Sequence, residues 1–200
     1  MSKIPLNPLV WPCGEENMGG YTSRVVFIPE CIVKTAPTLP AKDKVVSDED
    51  LATAEGTFEY LDPSQKPIAI TPTDKTVQYN AENQGELGGQ SFAVTGSYFF
   101  PGSKTETAVH SRMVNNTPGY LVLEDFTKEQ ILVGQPGLLC SIAPSFAGGQ
   151  ARTDRKGMTF NFSADSIVPY IKLKTPLDLD QIFADARGIE SNPNPPAGGE

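Results

Sequence analysis

Residues 91–126 read SFAVTGSYFFPGSKTETAVHSRMVNNTPGYLVLEDF, and their order of strand, break, short helix and strand decides the fold. Phe92, Val94, Gly96, Tyr98 and Phe100 alternate with Ser91, Ala93, Thr95, Ser97 and Phe99, the period of a strand with one buried face. Pro101 and Gly102 stop that strand. Ser103 offers a helix N-cap, with Glu106 at the capping-box spacing. Ala108, Val109 and Met113 supply a narrow apolar stripe for the helix, which Asn115, Asn116 and Pro118 end before Tyr120 opens another strand.

Working outward, the chain reads as β-structure on both sides. Residues 24–34, RVVFIPECIVK, predict a first strand, in which Pro29 suggests an edge or a bulge. Residues 35–56 read as a long polar loop, with one or two helical turns at SDEDLATAE capped by Ser47 or Asp48. TFEYL (57–61) is a short strand. Residues 67–80 hold two more around Pro72 to Lys75. AENQGELGGQ (81–90) has almost no apolar side chain and three glycines, so it reads as a flexible loop or hairpin tip. QILVGQ (130–135) and LLCSIAP (138–144) flank a turn at Pro136 and Gly137, and residues 147–157 form a polar loop. Met158, Phe160 and Phe162 then alternate with polar residues, and a turn near Ala164–Ser166 leads to a strand over Ile167–Leu173. PLDLDQIFADAR (176–187) predicts a short final helix between Pro176 and Gly188.

This gives a mainly β fold, an antiparallel β-sandwich or barrel flanked by one short helix, with an extended arm and long loops. Residues 1–22 are the N-terminal arm, 23–187 a single β-rich domain, and 188–200 a flexible tail. Pro5, Pro8 and Pro12 forbid a stable helix in the arm, where Trp11 could anchor in a groove of its own subunit or of a neighbour. Two hundred residues suffice for one domain with a real core. The 18 glycines and 18 prolines favour many strands over long helices.

The formal charge of −8 disfavours gripping nucleic acid or an anionic membrane. No apolar run is long enough to span a bilayer, so membrane insertion is not expected, and the proline-interrupted N-terminus does not suggest a secretory signal. Cys13, Cys31 and Cys140 are too few and too widely spaced for a disulfide framework, which points to synthesis in a reducing compartment.

Chemistry-bearing motifs are sparse. His110 is the single histidine, and no CxxC, HExxH or GxSxG spacing occurs. The pair Glu15/Glu16 and the run Asp48–Asp50 fall in polar loop sequence and read as solvated charge, Glu124/Asp125 falls outside such loops, Asp178 and Asp180 read as ordinary alternation at a helix start, and Arg152, Arg155 and Lys156 as a local basic cluster. No enzyme, cofactor or metal is expected.

The order of these elements resembles phage tail tube proteins, of the kind carried by phages of Bacteroidetes hosts. Four strings carry the resemblance: Glu82 to Gly89, Tyr98 to Gly102, Val114 to Asn116 and Gly157 to Phe162, within roughly residues 57–173. It implies a β-sandwich or barrel whose subunits join sheets edge to edge into hexameric rings. Those rings would stack into a tube that other tail proteins extend and that double-stranded DNA passes through without specific binding. Such a protein resides in the virion tail after synthesis in the host cytoplasm. Within 81–90, Glu82, Gln84, Gly85, Glu86, Gly88 and Gly89 are the candidate assembly loop, with Trp11 the candidate arm anchor. The alternatives are a tail terminator, collar or capsid decoration protein, or a solitary ligand-binding β-sandwich.

Overall fold

The computed structural model describes residues 18–42, 44–45 and 47–190, together with Leu9 and Gly14. Trp11 and residues 191–200 lie outside the described residues. In chain order the elements are β1 (Tyr21–Pro29), β2 (Val33–Thr35), β3 (Thr53–Ala54), β4 (Glu59–Tyr60), β5 (Ile68–Ile70), β6 (Gln78–Gln84), β7 (Ser91–Pro101) and α1 (Thr105–Val114). They continue with β8 (Gly119–Asp125), β9 (Gln130–Val133), β10 (Ser141–Ala147), β11 (Gly157–Ser166), β12 (Ile171–Leu173) and α2 (Leu179–Glu190). A six-stranded sheet, β3-β12-β9-β8-β1-β5, faces a four-stranded sheet, β10-β11-β7-β6, while β2 and β4 form a separate ribbon. All pairings are antiparallel except β12 with β3. The two large sheets make a sandwich and close no barrel.

One core fills the space between the sheets. Val25, Phe27, Leu121 and Leu123 meet Val94, Tyr98, Phe160 and Phe162, and Tyr98 stacks on Phe160 with ring centroids 5.0 Å apart. A second core covers the other face of the six-stranded sheet, where Val26, Ile28, Tyr120, Val122 and Leu132 meet Leu179 and Phe183 of α2. Both faces of β8 and β9 are therefore buried, which is why LVL and ILV are continuous apolar runs rather than alternations. The four-stranded sheet has only one buried face, and β11 alternates accordingly.

Several sequence expectations are corrected. The final helix expected over 176–187 is present as α2, so among the described residues two helices flank the sandwich rather than one, and α2 runs past its expected end at Gly188 to Glu190. Asp178 caps α2 by accepting the Gln181 N–H at 3.0 Å. Gln130 clamps its entry with two 2.8 Å bonds to the Leu177 backbone, and Arg24 reaches Asp180 at 2.8 Å. Pro29 marks neither an edge nor a bulge: β1 lies between β8 and β5, its irregularity falls between Tyr21 and Val25, and Pro29 simply ends it. Tyr21 and Thr22, assigned to the arm, already belong to β1. The helical turn expected within 35–56 is present as a 3-10 helix, Asp48–Ala52, with Ser47 at its N-cap donating its N–H to Asp50 at 2.9 Å, but the segment read as a loop also holds the strand β3. β11 continues to Ser166, so Ile167 sits in the turn rather than in the next strand.

α1 departs most from its sequence reading. Lys104, not Ser103, occupies the N-cap position, and it makes no capping bond. The stripe expected to pack is turned outward, with Val109 53% and Met113 63% exposed. Thr107, His110, Ser111 and Val114 face the protein instead, and Val114 is fully buried.

Candidate functional site

The candidate assembly residues converge at one end of the four-stranded sheet. Glu82 and Gln84 are not in a loop, because β6 continues to Gln84 and pairs residue for residue with β7 up to Gln84 opposite Ser91. The segment 81–90 is thus half strand and half tip. Gly85 and Gly88 adopt left-handed backbone, φ +90° and +100°. A side chain at Gly85 would also sit 2.7 Å from the Gly89 carbonyl oxygen, so the turn demands glycine there twice over. The Gly89 N–H donates to the Glu86 carbonyl at 2.9 Å. Gln84 ties the tip to the neighbouring strand end by donating to Asp165 at 2.8 Å and to Ser91 at 3.2 Å. Sequence reading passed over Leu87, the one large apolar residue of the tip, which is 95% exposed.

The middle of the outer face of the same sheet is built from small neutral side chains. Register aligns Gln78, Ser97, Asn161 and Ala143 in one row and Asn80, Thr95, Ser163 and Ser141 in the next. Asn80 steadies Glu82 with a 2.9 Å bond. The edge strands, β6 and β10, are each seven residues long.

At the opposite end of the sheet, the β10–β11 hairpin carries the basic cluster. Asp154 folds the tip inward by accepting the Gln150 and Ala151 N–H groups at 2.8 Å each, and those bonds hold its carboxyl below the usual range. The Arg155 guanidinium lies 3.6 Å over the Phe99 ring, a cation–π contact that no sequence spacing announces.

His110 faces a cavity of about 430 Å³ between α1, α2, β5 and β7. Ile70, Phe100, Phe160 and Phe183 line it, together with Lys104, Glu106 and Arg187. The imidazole sits edge-on to Phe160 at 5.3 Å, and its Nε2 is buried without a hydrogen-bond partner. Burial pushes its pKa below 6.5. Among the described residues a single carboxylate, Glu106, shares the cavity with it.

The carboxylate pair at 124–125 is structural. Glu124 is buried and accepts from Thr22 at 3.0 Å, with Lys128 at 3.4 Å and Arg24 at 3.8 Å, while Asp125 accepts the Thr127 and Glu129 N–H groups. Cys140 is buried, its thiol pushed up to about 12 by desolvation, and Cys31 is exposed. No group of three or more potential metal ligands occurs among the described residues, and no helix there is long and apolar enough to cross a membrane. Compared with known proteins, the chain matches no family model, no curated protein and no solved structure.

Proposed function

We propose that this chain is a structural virion protein whose copies join through the four-stranded sheet into rings, and whose rings stack into a phage tail tube. The observation that carries this reading is the pair of seven-residue edge strands on that sheet, β6 and β10, which pair with no further strand among the described residues. An uncovered strand edge is a template for pairing, and proteins that remain single blunt such edges with lysine, proline or very short strands. β6 has neither lysine nor proline. Pro144 takes one main-chain donor from β10, so a seam there rests on the residues either side of it. Pairing β6 of one copy with β10 of the next is a heterologous contact, which closes into a ring if the rotation allows. Six copies would supply about 24 strands, roughly 115 Å of circumference at ~4.8 Å per strand, wider than barrels that already hold an aqueous channel.

The outer face supports a conduit role. Its two central rows of serine, threonine, asparagine and glutamine carry no cation; Glu82 and Asp165 stand at one end of the face, and Arg155, stacked over Phe99, stands at the other. Rows without a cation give phosphate no strong hold, which suits a duplex that slides. No catalytic step enters this reading; the work is geometric. Sedimentation velocity and negative-stain microscopy of the purified full chain test it. Rings or tubes at tens of micromolar are expected. Single rings that never stack would point instead to a terminator or collar, and a clean monomer would overturn the self-assembly reading.

The His110 cavity favours a second reading, a ligand-binding sandwich. Its aromatic walls would take an apolar body, and Lys104 and Arg187, with Nε2 of His110, an anionic head. A monomer whose melting temperature rises with a medium-chain or aromatic carboxylate would establish this reading.

A further inference from the structure

The four-stranded sheet is charged oppositely at its two ends. β7 runs antiparallel to both β6 and β11, so Gln84, Ser91, Phe92 and Ser166 meet at one end, and Pro101 and Gly157 meet at the other. At the first end stand Glu82, Glu86 and Asp165, all exposed, and no lysine or arginine occurs from Thr76 to Ser103. At the second stand Arg152, Arg155 and Lys156, joined by Lys104, because the Gly102 N–H donates to the Lys156 carbonyl at 2.9 Å. Two acids accompany these four bases, Asp154 and Glu106, and Asp154 is already bonded within its own turn.

Distance decides what this separation means. Ten steps along β7, at ~3.3 Å each, put the two ends about 33 Å apart. That is several Debye lengths at physiological salt, where screening acts over ~8 Å. The ends cannot neutralise each other within one copy, and the ion pairs among the described residues lie elsewhere. The basic end is also preformed, since Arg155 is stacked on Phe99.

We propose that the acidic tip of one copy docks on the basic hairpin of the next, head to tail along the strand direction, with exposed Leu87 adding apolar contact. The partner is a second copy of this chain, and the inference rests on the self-assembly reading. Two different patches meet, so the contact is heterologous, and repeating it builds along an axis without closing. In the tube reading it is the contact between rings.

The test uses full-length chains with Glu82→Lys/Glu86→Lys, with Arg152→Glu/Lys156→Glu, and with all four changes. Arg155 is left in place because it packs on Phe99. Circular dichroism and melting confirm that each variant folds. Each two-site variant should raise the concentration needed for stacking about tenfold or more, since like charges then meet. The four-site variant should restore stacking, and an equimolar mixture of the two-site variants should co-assemble. If a two-site variant stacks like the wild type, or the folded four-site variant does not recover, the head-to-tail contact is wrong while self-assembly stands. Salt-sensitive open strings without rings would uphold this contact and sink the ring reading. A wild type that stays monomeric, with mixed variants that ignore each other, would sink both. Loss of stacking only from the basic-end change, with added heparin competing in the wild type, would assign that end to a polyanion and overturn the proposal.

Discussion

His110 shows how one side chain can couple acidity to stability. Its Nε2 is buried without a partner, and desolvation lowers its pKa from 6.5 in the folded state. The unfolded chain therefore binds a proton at this site more readily than the folded one. Stability falls as pH drops from 6.5 toward the lowered folded value, and below that value the penalty is constant. A His110→Phe variant keeps an aromatic edge against Phe160 but cannot titrate. Urea titrations at about pH 7.5 and 5 should show the wild type losing more stability than the variant over that interval. A difference independent of pH would mean that the folded protein does not hold the imidazole neutral.

At the scale of elements, α1 separates what periodicity can and cannot tell. Ala108, Val109 and Met113 fall on one helical face, and apolar spacing alone assigns that face to the core. The fold turns half-buried Thr107, His110 and Ser111 and fully buried Val114 inward instead, because β7 and the chain leading to β8 fix both helix ends and hence its rotation. Val114→Ala should accordingly cost about 2 kcal/mol. Val109→Lys with Met113→Lys should stay within about 0.5 kcal/mol, the range of surface changes. Denaturant unfolding compares them directly, and a large loss from the lysine pair would restore the face that periodicity suggests. Other elements were legible where one local rule governs. Phe160 and Phe162 alternate with Asn161 and Ser163 because β11 has one wet face, and the turn at Pro136–Gly137 is closed by mutual bonds between Gln135 and Leu138. Partner choice was not legible. Nothing local in QILVGQPGLLCSIAP says that β9 and β10 belong to different sheets, or that SDEDLATAE contains a strand parallel to β12. The candidate site divides in the same way. The glycines of 85–89 announce a tip, while the cavity around His110 depends on α1 and α2, distant in sequence, lining one space with Lys104 and Arg187.

For the whole molecule, the proposed assembly uses two kinds of contact with opposite responses to salt. Ring closure along β6 and β10 rests on main-chain hydrogen bonds between neutral strands, which screening barely touches. The axial contact rests on Glu82 and Glu86 meeting Arg152 and Lys156, charges at the protein surface that salt weakens. Net charge pulls the other way. Copies carrying −8 repel one another, and screening that repulsion alone would lengthen assemblies as salt rises. The two effects differ in range. Axial partners would touch, whereas the net charge is spread over the whole molecule. Specific contact should therefore dominate once copies are aligned in a ring. Raising salt toward ~1 M, where the Debye length is ~3 Å, should shorten tubes to single rings without dissolving the rings. Sedimentation velocity across a salt series reads both species at once. Tubes that lengthen with salt would show net repulsion to be the controlling term and remove the charge pairing from the axial contact. Rings and tubes that vanish together would mean that the sheet edges do not form the ring seam.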